Sequence, residues 1–335
     1  MKKYILAVCD LEEKYALKLM EYLKVQKGVP FEVQAYTLVE KLMDYGMHNH
    51  IDILLVSEKA VCEEMKDLNV EQIFVLSEEK EETEEYGFRC IYKYQASENI
   101  LREVMCYYAE AKQPVYIRNH NHNKIEMIGV YSPVKRALKT SFAITLGQIL
   151  AKEHRVLYIN LEEYSGFNTL MKTIYMSDMS DLLYYISQNR KNFIWKLASI
   201  VQNIGELDYI PPTLSPMDIR HITEDQWFDF FDELRSCDYE IIILDLGEAV
   251  DGLFNILREC KKIYTPVKDD AVSYAKMEQY EALLRIMEYE DILEKTVRLS
   301  FSYLKGIEYG FENMVYGDLG KYVRKILAGG DGDEL

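Results

Sequence analysis

The sequence predicts an α/β protein built from two doubly wound parallel-sheet domains. Two observations predict it. Short apolar runs alternate with amphipathic segments over residues 1–110, and the same alternation resumes after a polar, aperiodic stretch at 111–124 and runs through 125–335. A chain of 335 residues is long enough to bury two separate cores.

The first strand is expected at Tyr4–Cys9. The chain opens with Met-Lys-Lys, but the apolar run that follows meets Asp10 after six residues. That is too short for a secretory signal and suits a strand. Further strands are expected at Phe31–Tyr36, Ile51–Val56, Gln72–Leu76 and Arg89–Lys93, with helical periodicity between them. The periodicity is clearest at 12–25, where Ala16, Leu19, Met20 and Leu23 share one face. Residues 111–124, AKQPVYIRNHNHNK, contain Pro114 and lack periodicity, and so form a linker. The His120-x-His122 pair within it has no carboxylate or thiol beside it, which fits a linker better than a metal site.

The second domain begins with a buried strand at Ile125–Tyr131. A helix over Lys139–Lys152 follows, with Phe142, Leu146, Ile149 and Leu150 at core spacing. Strands are expected at Arg155–Asn160 and Glu240–Leu246. The latter reads EIIILDL, a nearly continuous apolar run that suits a central parallel strand. Two more are expected at Lys262–Pro266 and Val297–Ser302, with helices over 178–187, 192–203, 224–236 and 271–288. Phe193, Trp195 and Tyr185 read equally as core or as interface anchors.

A formal net charge of −17 argues against nucleic acid as a partner and leaves membrane contact at most indirect or peripheral. No apolar run approaches the roughly 20 residues that span a bilayer. The cationic segment LGKYVRKIL (319–327) reads as the last helix of the domain, and SEEKEETEE (77–85) as a solvated loop. Six scattered cysteines form no C-x-x-C pair, which excludes a zinc ribbon or disulfide framework and implies a cytoplasmic protein.

The pattern of residues 1–110 resembles the receiver (flavodoxin-like) domains of two-component signalling. Asp10, Ser77 and Lys93 match receiver positions after strands one, four and five. Cys9 stands at the first acidic position and Ser57 at the nucleophile's position. A serine hydroxyl cannot replace a carboxylate in forming an acyl phosphate. The expectation is therefore a domain that is not phosphorylated, with Asp10 and Lys93 kept as an ion pair.

In the second domain, a strand is followed by SPVKRALKTS and a helix, the order of a phosphate-binding loop. A helix N-terminus offers free N–H groups to phosphate, a lysine neutralises charge, and the next hydroxyl ligates Mg²⁺. Lys139 and Thr140 supply the last two. GVYSP…KTSFAITLGQIL, followed by RVLYINLE and YEIIILDLGE, resembles the MinD/ParA branch of P-loop ATPases. The order of two domains resembles most closely the TadZ/CpaE pilus-assembly proteins, which join a receiver-like domain to a MinD-like one.

The resemblance implies ATP and Mg²⁺ as cofactors. It implies a cofactor-binding loop at Lys135, Arg136, Ala137, Leu138, Lys139, Thr140 and Ser141, with Mg²⁺ held by Thr140 and, through water, by Asp245. Glu162 and Asp245 take the catalytic positions. Where the family has two alternate aspartates, INLE has Asn160 and Glu162. Val134 stands at the signature-lysine position, Lys135 and Arg136 replace paired glycines, and Leu138 replaces a third. Lys135 and Arg136 offer charge-assisted contacts in place of lost backbone donors. A glycine-free loop carries strain unless it takes another path.

The resemblance further implies a homodimer that binds pilus or secretion assembly proteins in the cytoplasm, at a cell pole or the inner membrane face, with weak or no ATP hydrolysis. Two alternatives stay open: an active MinD-like ATPase cycling on a protein partner, and a nucleotide-free scaffold.

Overall fold

A computed structural model describes residues 4–25, 31–79, 84–85, 87–110, 125–135, 137–188, 192–301 and 310–329. The expected linker, Arg136 and the middle of the acidic run lie outside the described residues. The chain divides into two compact units, Met1–Arg118 with Lys191–Ser199, and Asn119–Arg190 with Ile200–Leu335. Both are α/β with mainly parallel sheets.

The first unit has strands β1 (Tyr4–Cys9), β2 (Phe31–Tyr36), β3 (Ile51–Ser57), β4 (Val70–Ser77), β5 (Glu84–Glu85) and β6 (Phe88–Tyr92). Their order is β2-β1-β3-β4-β6-β5, and only β5 runs antiparallel to its neighbour. Without β5 this is the flavodoxin-like doubly wound order. β3 is buried along its whole length, as a central strand covered on both faces must be. Helices α1 (Glu13–Val25) and α3 (Ser97–Glu110) cover one face through Leu19, Leu23, Val104 and Tyr108. Helix α2 (Val39–His48) covers the other with Leu42.

Two gaps differ from the expected alternation. A short 3₁₀ helix, Glu63–Asp67, joins β3 to β4, and β5 stands between β4 and β6. The acid-rich sequence there has no apolar stripe with which to dock a helix.

Asp10 and Lys93 do form an ion pair, 2.8 Å apart and almost fully buried, with Glu12 adding a second carboxylate at 3.1 Å. The Ser57 hydroxyl is buried with no hydrogen-bond partner among the described residues. The helix Phe193–Ile200, expected within the second domain, packs in this unit: Trp195 stacks on Phe31 and meets Tyr4 and Tyr108 edge-on.

The second unit has strands β7 (Glu126–Val130), β8 (Val156–Leu161), β9 (Gln202–Ile204), β10 (Leu207–Ile210), β11 (Ile241–Leu246), β12 (Lys262–Val267) and β13 (Thr296–Ser300). The order is β13-β12-β7-β11-β8-β10-β9, parallel except for β9. The sequence reading ran a helix through 192–203, but the helix stops at Ile200 and a hairpin begins. Its turn is Gly205-Glu206, with Gly205 at φ +64°, a conformation that glycine adopts without strain.

Helix α4 (Lys139–Leu150) follows β7 and lies tight on the sheet. A Cβ on Gly147 would stand 2.8 Å from the Leu207 methyls, so the close approach depends on that glycine. The strands stay parallel, but the chain winds from β7 towards β8 on one side and from β11 towards β12 on the other, and in open sheets the crevice at the carboxyl ends of strands where the winding reverses receives ligands.

Candidate functional site

The crevice is a cavity of about 790 Å³, within the range of ligand pockets. Its walls come from the loop after β7, the start of α4, and the segments that follow β8, β10 and β11. Lys135, Ala137, Leu138, Lys139, Thr140 and Ser141 line it, as does Glu162. These seven are residues the sequence reading selected. Asp245 sits beneath, fully buried at the end of β11.

The loop is fixed at its start. Ser132 donates from Oγ to the Pro266 carbonyl at 2.5 Å and accepts from the Val134 N–H at 3.0 Å. At its end Leu138 takes the left-handed conformation, φ +59° and ψ +23°. The loop therefore keeps the backbone turn that a glycine would make, at a cost of about 1–2 kcal/mol for a residue with a Cβ. Leu138 occupies the N-cap of α4 without a side-chain cap, so the first N–H groups of this twelve-residue helix face the cavity side without a capping oxygen. That end carries the positive pole of the helix dipole.

Lys139, the first residue of α4, is satisfied by the opposite wall. Its Nζ lies 3.1 Å from Asp245 Oδ1, contacts Glu162 Oε1 and donates to the Leu246 carbonyl. Burial pushes its pKa down, but Asp245 and Glu162 outweigh that, and the net direction is up. For Glu162 burial wins over the neighbouring ammonium, and its pKa is raised.

Asp245 is held by a polar network. Its Oδ2 accepts from Tyr158 Oη at 2.9 Å and from Asn160 Nδ2 at 3.1 Å. Asn160 Nδ2 also reaches Tyr158 Oη at 2.8 Å, and its Oδ1 accepts from the Glu162 N–H at 3.0 Å. Asn160 is thus a donor aimed at the buried carboxylate, one that an aspartate would not supply. Strand register explains the arrangement, since Asp245 is the direct neighbour of Asn160 across β11 and β8.

Gly247 leaves the strand where there is no room for a side chain: a Cβ would stand 2.7 Å from the Leu161 carbonyl oxygen and 2.8 Å from Glu163 Oε2. Lys135 reaches 3.4 Å to Glu248, an exposed and solvent-screened pair.

Sequence reasoning missed Tyr131, Glu163, Tyr164, Arg220 and Glu248 as lining residues. Glu163 and Glu248 lie next to motifs that were recognised and were within reach of the sequence. Arg220 follows β10, a short strand that the sequence did not reveal, and no sequence signal marks it.

The donor set suits a nucleotide with Mg²⁺. A helix N-terminus, Lys139 and the Thr140 hydroxyl face phosphate chemistry, and Asp245 and Glu162 are hard oxygen donors of the kind Mg²⁺ selects. Both carboxylates are near enough to share one ammonium, so a divalent cation could replace it among them.

No family model matches the sequence, and no curated protein matches it. Solved structures do resemble it. A ParA family ATPase from Chlorobium tepidum is 17% identical over 63% of this chain and 90% of its own, with a TM-score of 0.44. A chain of the MinC:MinD cell division protein complex from Aquifex aeolicus is 18% identical over 52% of this chain and 68% of its own, with a TM-score of 0.38. A cobyrinic acid a,c-diamide synthase from Mycobacterium smegmatis, solved with an ATP analog and magnesium, is 13% identical over 59% of this chain and 82% of its own, TM-score 0.41.

Proposed function

We propose that the chain is an ATP-binding, dimerising assembly factor of the MinD/ParA kind with weak or no hydrolysis. It serves a Flp/Tad-type pilus or a related secretion apparatus from the cytoplasm, at a cell pole or the inner face of the membrane. The observation that carries the nucleotide reading is Lys139. It stands at the uncapped head of α4, lines the cavity, and pairs with Asp245 and Glu162 across it. Lys135, Arg136, Lys139, Thr140 and Ser141 bind the phosphates in this reading, with Ala137 and Leu138 shaping the loop. Thr140 and Asp245 hold Mg²⁺.

Weak hydrolysis follows from the loop. Catalysis needs phosphate donors placed to fractions of an ångström, and Lys135, Arg136 and Leu138 stand where glycines would let the backbone place them. Dimerisation is supported by apolar side chains left exposed, Tyr164 on the cavity wall and Leu214 and Met217 on the segment leading to Arg220, all at least half exposed. The partner and the cellular address rest on the resemblance of the two-domain sequence to pilus-assembly proteins.

The test is a calorimetric ATP titration with and without Mg²⁺ on wild type and Lys139→Ala, with sedimentation of both in the presence of ATP. Binding and a larger species in the wild type alone support the reading, and equal silence in both proteins overturns it. A second reading, a nucleotide-free scaffold, is favoured by one observation: Lys139 already has three oxygen partners. Equal silence is its expected result.

A further inference from the structure

Three described cations line the cavity: Lys135, Lys139 and Arg220. Lys139 is engaged by Glu162 and Asp245, and Lys135 faces Glu248. Arg220 has no carboxylate partner among the described residues, although the cavity wall also holds Glu162, Glu163 and Glu248. It is therefore the cation there whose hydrogen-bonding capacity is still open.

Its mounting is rigid. Arg220 ends the short helix Pro216–Arg220, whose N-cap Ser215 accepts from the Met217 N–H at 3.2 Å. Ile219 is fully buried, and Asp218 accepts from Ser180 Oγ at 3.3 Å. The helix follows β10, which pairs with β8 in parallel register from Leu157 to Ile159.

Sheet order gives the direction in which Arg220 lies. From the phosphate-binding loop, the strands run β7, β11, β8, β10. Lys139 follows β7, Asp245 ends β11, Glu162 follows β8, and Arg220 follows β10. A phosphate chain anchored on α4 and extended past Asp245 towards Glu162 points its outer end at Arg220. The position that elsewhere carries a signature lysine is Val134 here, 6% exposed and uncharged. A guanidinium binds phosphate through paired N–H groups in a fixed fork, and this one is carried to the cavity by an anchored helix end.

We infer that Arg220 contacts the terminal phosphoryl group of a nucleoside triphosphate bound in its own chain and makes the site prefer triphosphate to diphosphate. This rests on the nucleotide reading given above.

The test is calorimetric titration of the full chain with Mg²⁺–AMPPNP and with Mg²⁺–ADP, for wild type, Arg220→Ala, Arg220→Lys and Lys139→Ala. Arg220 is exposed, and thermal melts check that its variants fold. The expected result is a loss of about tenfold or more in AMPPNP affinity for Arg220→Ala, with ADP affinity changed by less than about threefold and Arg220→Lys between. An unchanged AMPPNP-to-ADP ratio in Arg220→Ala overturns the inference while leaving the nucleotide reading in place. If wild type and Lys139→Ala bind neither nucleotide, the nucleotide reading fails and the inference falls with it.

Discussion

Nζ of Lys139 lies 3.1 Å from Oδ1 of Asp245, so the residue proposed to neutralise phosphate and the residue proposed to hold Mg²⁺ are counter-ions of each other. The pair is buried at one end, with Asp245 fully inaccessible. Its strength is therefore not diluted by solvent as a surface pair's would be. A phosphate that takes Lys139 must leave Asp245 with another cation. The proposed site would thus couple anion and metal binding.

The first prediction follows from that coupling. Without Mg²⁺, a triphosphate would have to take Lys139 from Asp245 and Glu162 and then lie beside both uncompensated carboxylates. Titration in EDTA should show ATP affinity reduced by about tenfold or more relative to excess Mg²⁺. Asp245→Ala should narrow that ratio. Equal affinities in the wild type with and without the metal would remove Asp245 from any metal-holding role.

Much of this was legible in the sequence, because the strands are apolar runs and parallel central strands need to be. EIIILDL put Asp245 at a strand end, and KTS put Lys139 and Thr140 at a helix start. What escaped was everything that depends on which surface a segment meets. Periodicity leaves Trp195 equally core or interface anchor, and cannot show that Tyr4, Phe31 and Tyr108 bury it. Nor does it show that Asn160 points its amide at Asp245, which follows from inter-strand register.

Leu138 supplies a second prediction. Its φ of +59° is costly for a residue with a Cβ, and more so for a β-branched one. Leu138→Gly relieves about 1–2 kcal/mol of strain but adds unfolded-chain entropy of about 0.4–1 kcal/mol. The net should be neutral to mildly stabilising in urea unfolding. Leu138→Val should destabilise by at least about 1 kcal/mol. If both substitutions behave alike, the loop does not hold the left-handed turn in solution.

Asn160→Asp tests the polar network and its pH dependence. The substitution removes the donor 3.1 Å from Asp245 Oδ2 and puts a second carboxylate there, with both residues buried. At neutral pH the expected loss is about 2–4 kcal/mol. Repulsion raises the folded-state pKa of the pair above that of the unfolded chain. Stability therefore falls as pH rises between those values, and the variant should recover towards wild type on acidification. Melting temperatures from pH 4 to 8 would show the gap closing at the acid end, and a constant gap would mean that the carboxylates do not interact.

In the first unit, Lys93→Met should cost about 3–5 kcal/mol, since it leaves Asp10 buried without its cation. Asp10→Asn with Lys93→Met should recover part of that. Burial pushes the Lys93 pKa down, but Asp10 and Glu12 outweigh it and the net direction is up from 10.5. The pair's contribution is thus complete below that value and lost as pH rises through the higher folded-state one. Wild type should lose more stability than Lys93→Met on alkaline titration, and parallel curves would exclude Lys93 as the cause.

Trp195 gives the last prediction. It is 1% exposed, stacks on Phe31 with ring centroids 5.2 Å apart, and meets Tyr108 edge-on at 5.0 Å. Beside it Asn192 donates from Nδ2 to the Ala109 carbonyl at 3.3 Å. A segment distant in sequence therefore completes the apolar face covered by α1 and α3. Trp195→Ala should cost about 3–5 kcal/mol of first-unit stability. A fragment ending at Arg118 should melt lower than the same unit in the full chain, because it lacks this cover. Adding a peptide spanning residues 191–200 should raise its melting temperature in a concentration-dependent way, since binding to the folded form alone stabilises by mass action. A fragment as stable as the unit in the full chain, and indifferent to the peptide, would show that the tryptophan fills no essential part of that core.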